Sequence, residues 1–181
     1  YGSEYNYSFY ACHVGESSPS VRIDNGDLLT TIDLEENQAD ILWAEAHAKP
    51  FGSIPRYGFN ARYMRAVYGN GDKWLPNLTF KHVTTALNFQ FYIDPDRSDT
   101  LSFLSEVEID SLKVLNLPNE VDLTIASKDK TKAGTLSQTS SSGLGIPLDC
   151  SDIQIDSIGV VIDIGTLFVF VPEEVDTIEA E

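Results

Sequence analysis

Hydrophobic residues in this chain recur with period two rather than with the period of a helix. Residues 78–94, LTFKHVTTALNFQFYID, carry the pattern at greatest length. Leu78 and Phe80 occupy even positions, whereas Val83, Leu87, Phe89, Phe91 and Ile93 occupy odd ones. Side chains alternate faces along a strand. The change of phase at Lys81–His82 therefore predicts an extra residue that bends the strand, or a crossing from one sheet to another. The same alternation runs through YNYSFYACHV (Tyr5, Tyr7, Phe9) and EVDLTIAS (Val121, Leu123, Ile125). In FLSEVEIDSLKVLNL, Leu104, Val107 and Ile109 precede a second phase change. LLTTIDL is short and β-branched, and QADILWAEAHA suits either a strand or a turn of helix. DIQIDSIGVVIDIGTLFVFV holds two or three strand lengths broken at Gly165.

Turn chemistry separates these runs: DNGD at 24, GNGD at 69, DPDRSD at 94, LPN at 117 and SSSGLG at 140. The one helix candidate, PRYGFNARYMRAVYG, is weakened by its glycines and aromatics. About seven to nine short strands at this spacing predict an all-β fold, an antiparallel β-sandwich. SKDKTKAGTLSQTSSSGLG and the acidic end PEEVDTIEAE are polar enough to predict a solvated loop and a tail. The domain is accordingly expected over residues 1–172, with residues 173–181 as an acidic tail or linker.

The chain has 181 residues, enough to bury a core without a disulfide or a metal. Its formal net charge of −16 argues against nucleic acid and anionic lipid as partners, since a polyanion is repelled by both. No apolar run approaches the roughly 20 residues of a membrane span. The sequence opens at Tyr1 rather than Met, which reads as a mature or trimmed product. Cys12 and Cys150 could pair in an oxidising compartment, or serve as two small buried hydrophobes.

Catalytic signatures are missing: G-x-S-x-G, H-E-x-x-H, C-x-x-C and P-loop strings do not occur. Cys12 and His13 are adjacent, but neighbours on a strand point to opposite faces. The three histidines, His13, His47 and His82, lie at no ligand spacing. DPDRSDTLSFLSE has Asp94 and Asp96 where a calcium loop needs ligands, but Asp99 replaces its glycine and Ser105 its glutamate. The chain is thus expected not to be an enzyme and to need no cofactor or metal. His82 reads as a structural histidine at the bend, bonded to a backbone group or a carboxylate. Tyrosine-rich YGSEYNYSFY and RYGFNARYMRAVYG could form a sugar-stacking face, although strand packing also uses tyrosine.

LTFKHVTTALNFQFYI resembles the signature strand of Bacteroidetes fimbrillins, the Mfa-like fimbrial subunits and anchors. Phe80 and His82 match that family's Phe-x-His, and Ala86, Leu87, Phe89 and Phe91 match the alternating strand after it. QADILWAEA is similar to the family's Gln-x-Asp-apolar-apolar-x-Ala through Gln38, Asp40, Ile41, Leu42 and Ala44. EVEIDSLKVLNLPNEVDLTI, AGTLSQ and GTLFVFVP resemble later strands, so the likeness spans about residues 5–172. The resemblance implies a transthyretin-like Greek-key sandwich, exported as a lipoprotein precursor with a lipid anchor and built into fimbriae at the cell surface. Its implied partners are other fimbrial subunits, joined by strand exchange. Family subunits usually have two sandwich domains; this chain has room for about one and resembles the N-terminal one. The alternative is a non-polymerising surface module that binds glycan or host protein. Such exported proteins are often O-glycosylated at Asp-Ser/Thr-apolar, which marks Thr100, Ser111, Ser157 and Thr177 as candidate glycosites.

Overall fold

A computed structural model describes residues 6–15, 19–51, 54–57, 59, 77–95, 108–155, 158–173 and 178–180. These residues form an all-β, sandwich-like fold with no helix, as the period-two pattern requires. Among the described residues there are fourteen strands, more than the seven to nine expected. In chain order they are β1 (Tyr10–His13), β2 (Val21–Asp24), β3 (Asp27–Asp33), β4 (Leu42–Phe51), β5 (Ile54–Tyr57), β6 (Asn77–Leu78) and β7 (Lys81–His82). There follow β8 (Thr85–Tyr92), β9 (Glu108–Pro118), β10 (Glu120–Ala126), β11 (Leu136–Gln138), β12 (Leu144–Gln154), β13 (Val161–Val169) and β14 (Glu179–Ala180). Part of the excess arises because single runs are divided. β6 and β7 keep one register along β4, with Leu78 opposite Ala46 and His82 opposite Leu42.

Four antiparallel sheets result. In the first, β4 pairs with β1, β5, β6 and β7; the second runs β11-β10-β3-β2; the third runs β12-β9-β14; the fourth is β13-β8. Side chains from all four meet in one core: Trp43 from the first, Ile32, Val121, Leu123 and Ile125 from the second, Val114, Leu117 and Ile146 from the third, Leu167 and Val169 from the fourth. The alternation of Val121, Leu123 and Ile125 thus does mark the inward face. QADILWAEAHA resolves as strand from Leu42 onward, because its small and β-compatible residues are buried along β4.

The phase changes have distinct origins. In β9, the change after Ile109 coincides with a register shift in the ladder with β12, where Asp149 faces Ser111 but Ile153 faces Ile109; a separate change, from Val114 to Leu117, crosses Asn116, whose φ of 62° is a left-handed conformation that asparagine tolerates. In β13, Gly165 does not end a strand as expected; the ladder with β8 shifts register between Asp163 and Gly165 and then continues to Val169. A bulge absorbs the extra residue without breaking the pairing. At Lys81–His82 the chain leaves one sheet for another. β7 pairs with β4, and three residues later β8 pairs with β13.

Two further expectations are corrected, and of the two readings left open for the cysteines the disulfide is set aside. The weak helix candidate begins in strand, since Ile54–Tyr57 pairs with β4; the rest of that stretch, apart from Phe59, lies outside the described residues. Cys12 and Cys150 are free thiols. Cys12 packs on the main core from β1, whereas Cys150 is buried on β12 outside that cluster, its Sγ donating to the Leu148 carbonyl at 3.3 Å. Finally, Glu179–Ala180 pairs with Leu115 and Val114 of β9, so the acidic end adds a strand to a sheet instead of trailing from it.

Candidate functional site

Two groups of polar side chains stand out at the edges of this core. The first lies at the crossing from β7 to β8. His82 Nδ1 is 2.5 Å from Asp40 Oδ2, and Thr84 Oγ1 donates to Asp40 Oδ1 at 3.2 Å. Thr84 Oγ1 also accepts the Ile41 amide at 3.1 Å, and the Val83 amide donates to the Ile41 carbonyl at 2.9 Å. Just upstream, Gln38 donates to the Leu34 carbonyl and accepts the Phe168 amide at 3.0 Å through Oε1. Gln38, Asp40 and His82 were singled out as sequence matches, and the fold brings all three to one seam. There they satisfy backbone groups where the ladders change partners. His82 is largely exposed on its outer side, at 73 % of the side chain, and its contact is a carboxylate. Among the described residues no group of three or more His, Cys, Asp or Glu could hold a metal.

The remaining sequence matches divide by face. Leu87, Phe89 and Phe91 are half-buried along β8, and Leu87 and Phe89 pack against the main core. Ala86 is exposed, and so is Phe80 (45 %), which lies between β6 and β7 on the outer phase of the segment. Of the candidate glycosites, Ser111 is exposed on β9. Thr100, Ser157 and Thr177 lie outside the described residues, as does most of the calcium-like string after Pro95.

The second group went unrecognised in the sequence. Trp43 of β4 is buried, and its indole Nε1 donates to the Ile125 carbonyl of β10 at 2.9 Å. On one side Lys81 Nζ stands 4.7 Å over the ring. On another the backbone of Gly134, held by a 2.7 Å bond from its amide to the Thr124 carbonyl, runs against the indole. Gly134 has φ +73°, and a Cβ built there would lie 2.5 Å from Trp43 Cδ2 and Cε3. Two residues along β4 from the tryptophan, Glu45 is buried, with 6 % of its side chain exposed, and Lys130 reaches it at 2.5 Å. Lys130 also donates to the Tyr10 hydroxyl at 2.8 Å and sits 5.2 Å over the Tyr10 ring. Burial alone lowers a lysine pKa; here the hydrogen bonds to Glu45 and Tyr10 outweigh it and hold Lys130 above its ordinary value.

Trp43, Glu45, Lys81 and Lys130, with His47, Thr79 and Ala133, line a cleft of about 360 Å³. Its position explains why it was missed. Lys130 falls in SKDKTKAG, a stretch expected to be a solvated loop, yet Ala133 and Gly134 within it are buried. An Ala-Gly pair interrupting a polar run was the available signal. The turn is shaped locally: Asp129 accepts from the amide and hydroxyl of Thr131, which lowers its pKa, and its own amide bonds Ser127 Oγ. The Asp129 side chain thereby fixes the loop that presents Lys130.

Elsewhere, burial raises the pKa of the Cys12 thiol, which makes it a poor nucleophile. Among the described residues no helix is long and apolar enough to cross a membrane. Comparison with protein-family models, curated proteins and solved structures gave no match to this chain.

Proposed function

We propose that this chain is a structural or adhesive subunit of bacterial surface fimbriae, joined to its neighbours by β-strand exchange and wired as a Greek-key sandwich. The observation that carries the reading is the open sheet β13-β8. Each of its strands pairs only with the other among the described residues. Among the described residues each thus leaves an edge of backbone donors and acceptors for an incoming strand, apart from Phe168, whose amide Gln38 caps, and such a strand would satisfy them and cover apolar side chains together. Apolar surface is exposed at one end of that sheet: Tyr92 at 53 %, Val160 at 51 % and Val161 at 55 %. The resemblance to fimbrillins adds support, since Gln38, Asp40 and His82, which carry part of it, have a shared structural task at the sheet crossing.

Hydrogen exchange and light scattering test the proposal together. In the isolated chain, amides of β13 that face away from β8, other than Phe168, which Gln38 bonds, should exchange faster than those bonded to β8. Mass should rise with concentration, or on adding an apolar strand peptide, and the rise should diminish in Val161→Lys, which places a charge on the exposed apolar end. Uniform protection across β13, together with a monomer at every concentration and no peptide uptake, would count against assembly by this edge.

A second reading, a non-polymerising surface module for glycan or host protein, is favoured by the Trp43 cleft. It differs in requiring a ligand at that cleft and no partner at the sheet edge.

A further inference from the structure

The Trp43 cleft combines three features that single ligands seldom use together. The first is a cation. Lys81 is exposed, makes no ion pair with a described carboxylate, and is held in place over the Trp43 ring. In a chain of net charge −16, binding an anion requires a local positive group, and Lys81 supplies one. The second is a hydrogen-bond acceptor facing the cleft. Glu45 is 7 % exposed as a residue, its Oε1 is engaged by Lys130, and no described donor reaches its Oε2. A buried carboxylate oxygen is costly without donors, and hydroxyl groups provide them. The third is a small apolar margin where Trp43 and Ala133, both nearly buried, reach the cleft; Lys81 stands over the indole and Gly134 lies against it, so a ligand touches this margin by an edge and does not stack on the ring.

We infer that this cleft binds a carboxylated sugar of the uronic-acid class. The sugar's carboxylate pairs with Lys81, its hydroxyls donate to Glu45 and exchange hydrogen bonds with Thr79, and an apolar edge of the ring meets the Trp43–Ala133 margin. A simple anion would leave Glu45 without donors and would be repelled by it. A neutral sugar would leave Lys81 unused. The volume of about 360 Å³ is at the small end of ligand pockets, suited to one sugar residue. This inference rests on the second functional reading, the surface binding module, and does not depend on strand exchange.

The test is an amide-resolved NMR titration of the ¹⁵N-labelled chain with glucuronate, and with glucose and acetate as controls. Glucuronate should give saturable shifts at Trp43, Lys81 and Ala133, whereas glucose and acetate should bind at least about tenfold more weakly. Loss of a charge-assisted contact should weaken glucuronate about ten- to a hundredfold in Lys81→Met. Lys81→Arg, which keeps the charge, should retain most of the binding. Absence of saturable shifts in the unmodified chain overturns the inference, whatever the variants do. Equal binding of glucose removes the carboxylate from it, and equal binding of acetate removes the sugar. Unchanged affinity in a folded Lys81→Met refutes the role of Lys81. The mass and exchange measurements on the β13-β8 edge read out separately, so failure here leaves the assembly proposal standing.

Discussion

Replacing Gly134 by alanine tests the packing around Trp43 most directly. Two costs arise, and they can be separated. At φ +73° an L residue pays the left-handed backbone penalty, about 1–2 kcal/mol. The new Cβ would also stand 2.5 Å from two indole carbons, well inside the roughly 3.5–4.0 Å of carbon–carbon contact. The ring cannot easily yield, because its Nε1 is bonded to the Ile125 carbonyl at 2.9 Å and it is only 8 % exposed. Overpacking of this kind adds about 1–3 kcal/mol, for a total near 2–5 kcal/mol. Gly26 serves as the control: it has φ +89° in the β2–β3 turn, but a Cβ there meets nothing within 4 Å. Gly26→Ala should therefore cost only the backbone part, about 1–2 kcal/mol. Urea unfolding followed by circular dichroism gives both values. A double-mutant cycle with Trp43→Leu isolates the contact: in that background Gly134→Ala should cost about as little as Gly26→Ala, a coupling of about 1–3 kcal/mol. Equal costs for Gly134→Ala and Gly26→Ala in the unmodified chain, or no coupling to Trp43, would refute the account.

Other expectations follow from the same contacts. Thr84→Val removes the acceptor for the Ile41 amide, whose residue is fully buried, and should cost about 1–3 kcal/mol in the same assay. Asp40→Asn, at the partly exposed His82 contact, should cost about 1 kcal/mol or less. Lys130→Met leaves the buried Glu45 carboxylate without its partner. Because half of the Lys130 side chain is in water, the loss should fall near 1–3 kcal/mol, below that of a fully buried pair. Lys130 is held above its ordinary pKa of 10.5, so its contribution is complete below that pH and should vanish as pH rises through the folded value; urea midpoints against pH will show it, and Lys130→Met should flatten that limb. Glu120 is shifted the other way, by hydrogen bonds from Ser141 and then Thr139, against opposing burial. Its contribution is present above its ordinary 4.5 and lost as pH falls through the lowered value, and Glu120→Gln should remove that part of the acid limb.

The strands were legible where one face is apolar and the other polar, as at Val121, Leu123 and Ile125 in β10. The DNGD turn was legible for a related reason: Asn25 and Gly26 both take positive φ, which few other residue pairs permit. Interruptions were visible too, but their causes were not. The phase change after Ile109 proved to be a register shift against β12, another a crossing between sheets, and the expected break at Gly165 a bulge. Alternation records which face a residue takes, not which strand lies beside it. For the same reason the Trp43 cleft escaped notice. Trp43, Lys81 and Lys130 come from three separate segments, and only the pairing of β4 with β7 and the docking of the turn after β10 bring them together. His82 was legible at the seam from the change of phase, whereas Asp40 came only through a resemblance, because it marks no break in the alternation.

The passage from β7 to β8 also bears on how the molecule yields. One uninterrupted backbone is bonded to β4 before Val83 and to β13 after Thr84, and Gln38 fastens the end of β13 beside that passage to the segment entering β4. Tension applied along β13 is therefore delivered to β4 through two residues rather than dissipated in a slack connector. The two sheets cannot come apart in succession without first tearing that stitch. Their amides should share a common opening free energy, and a pull on one margin should be resisted by both.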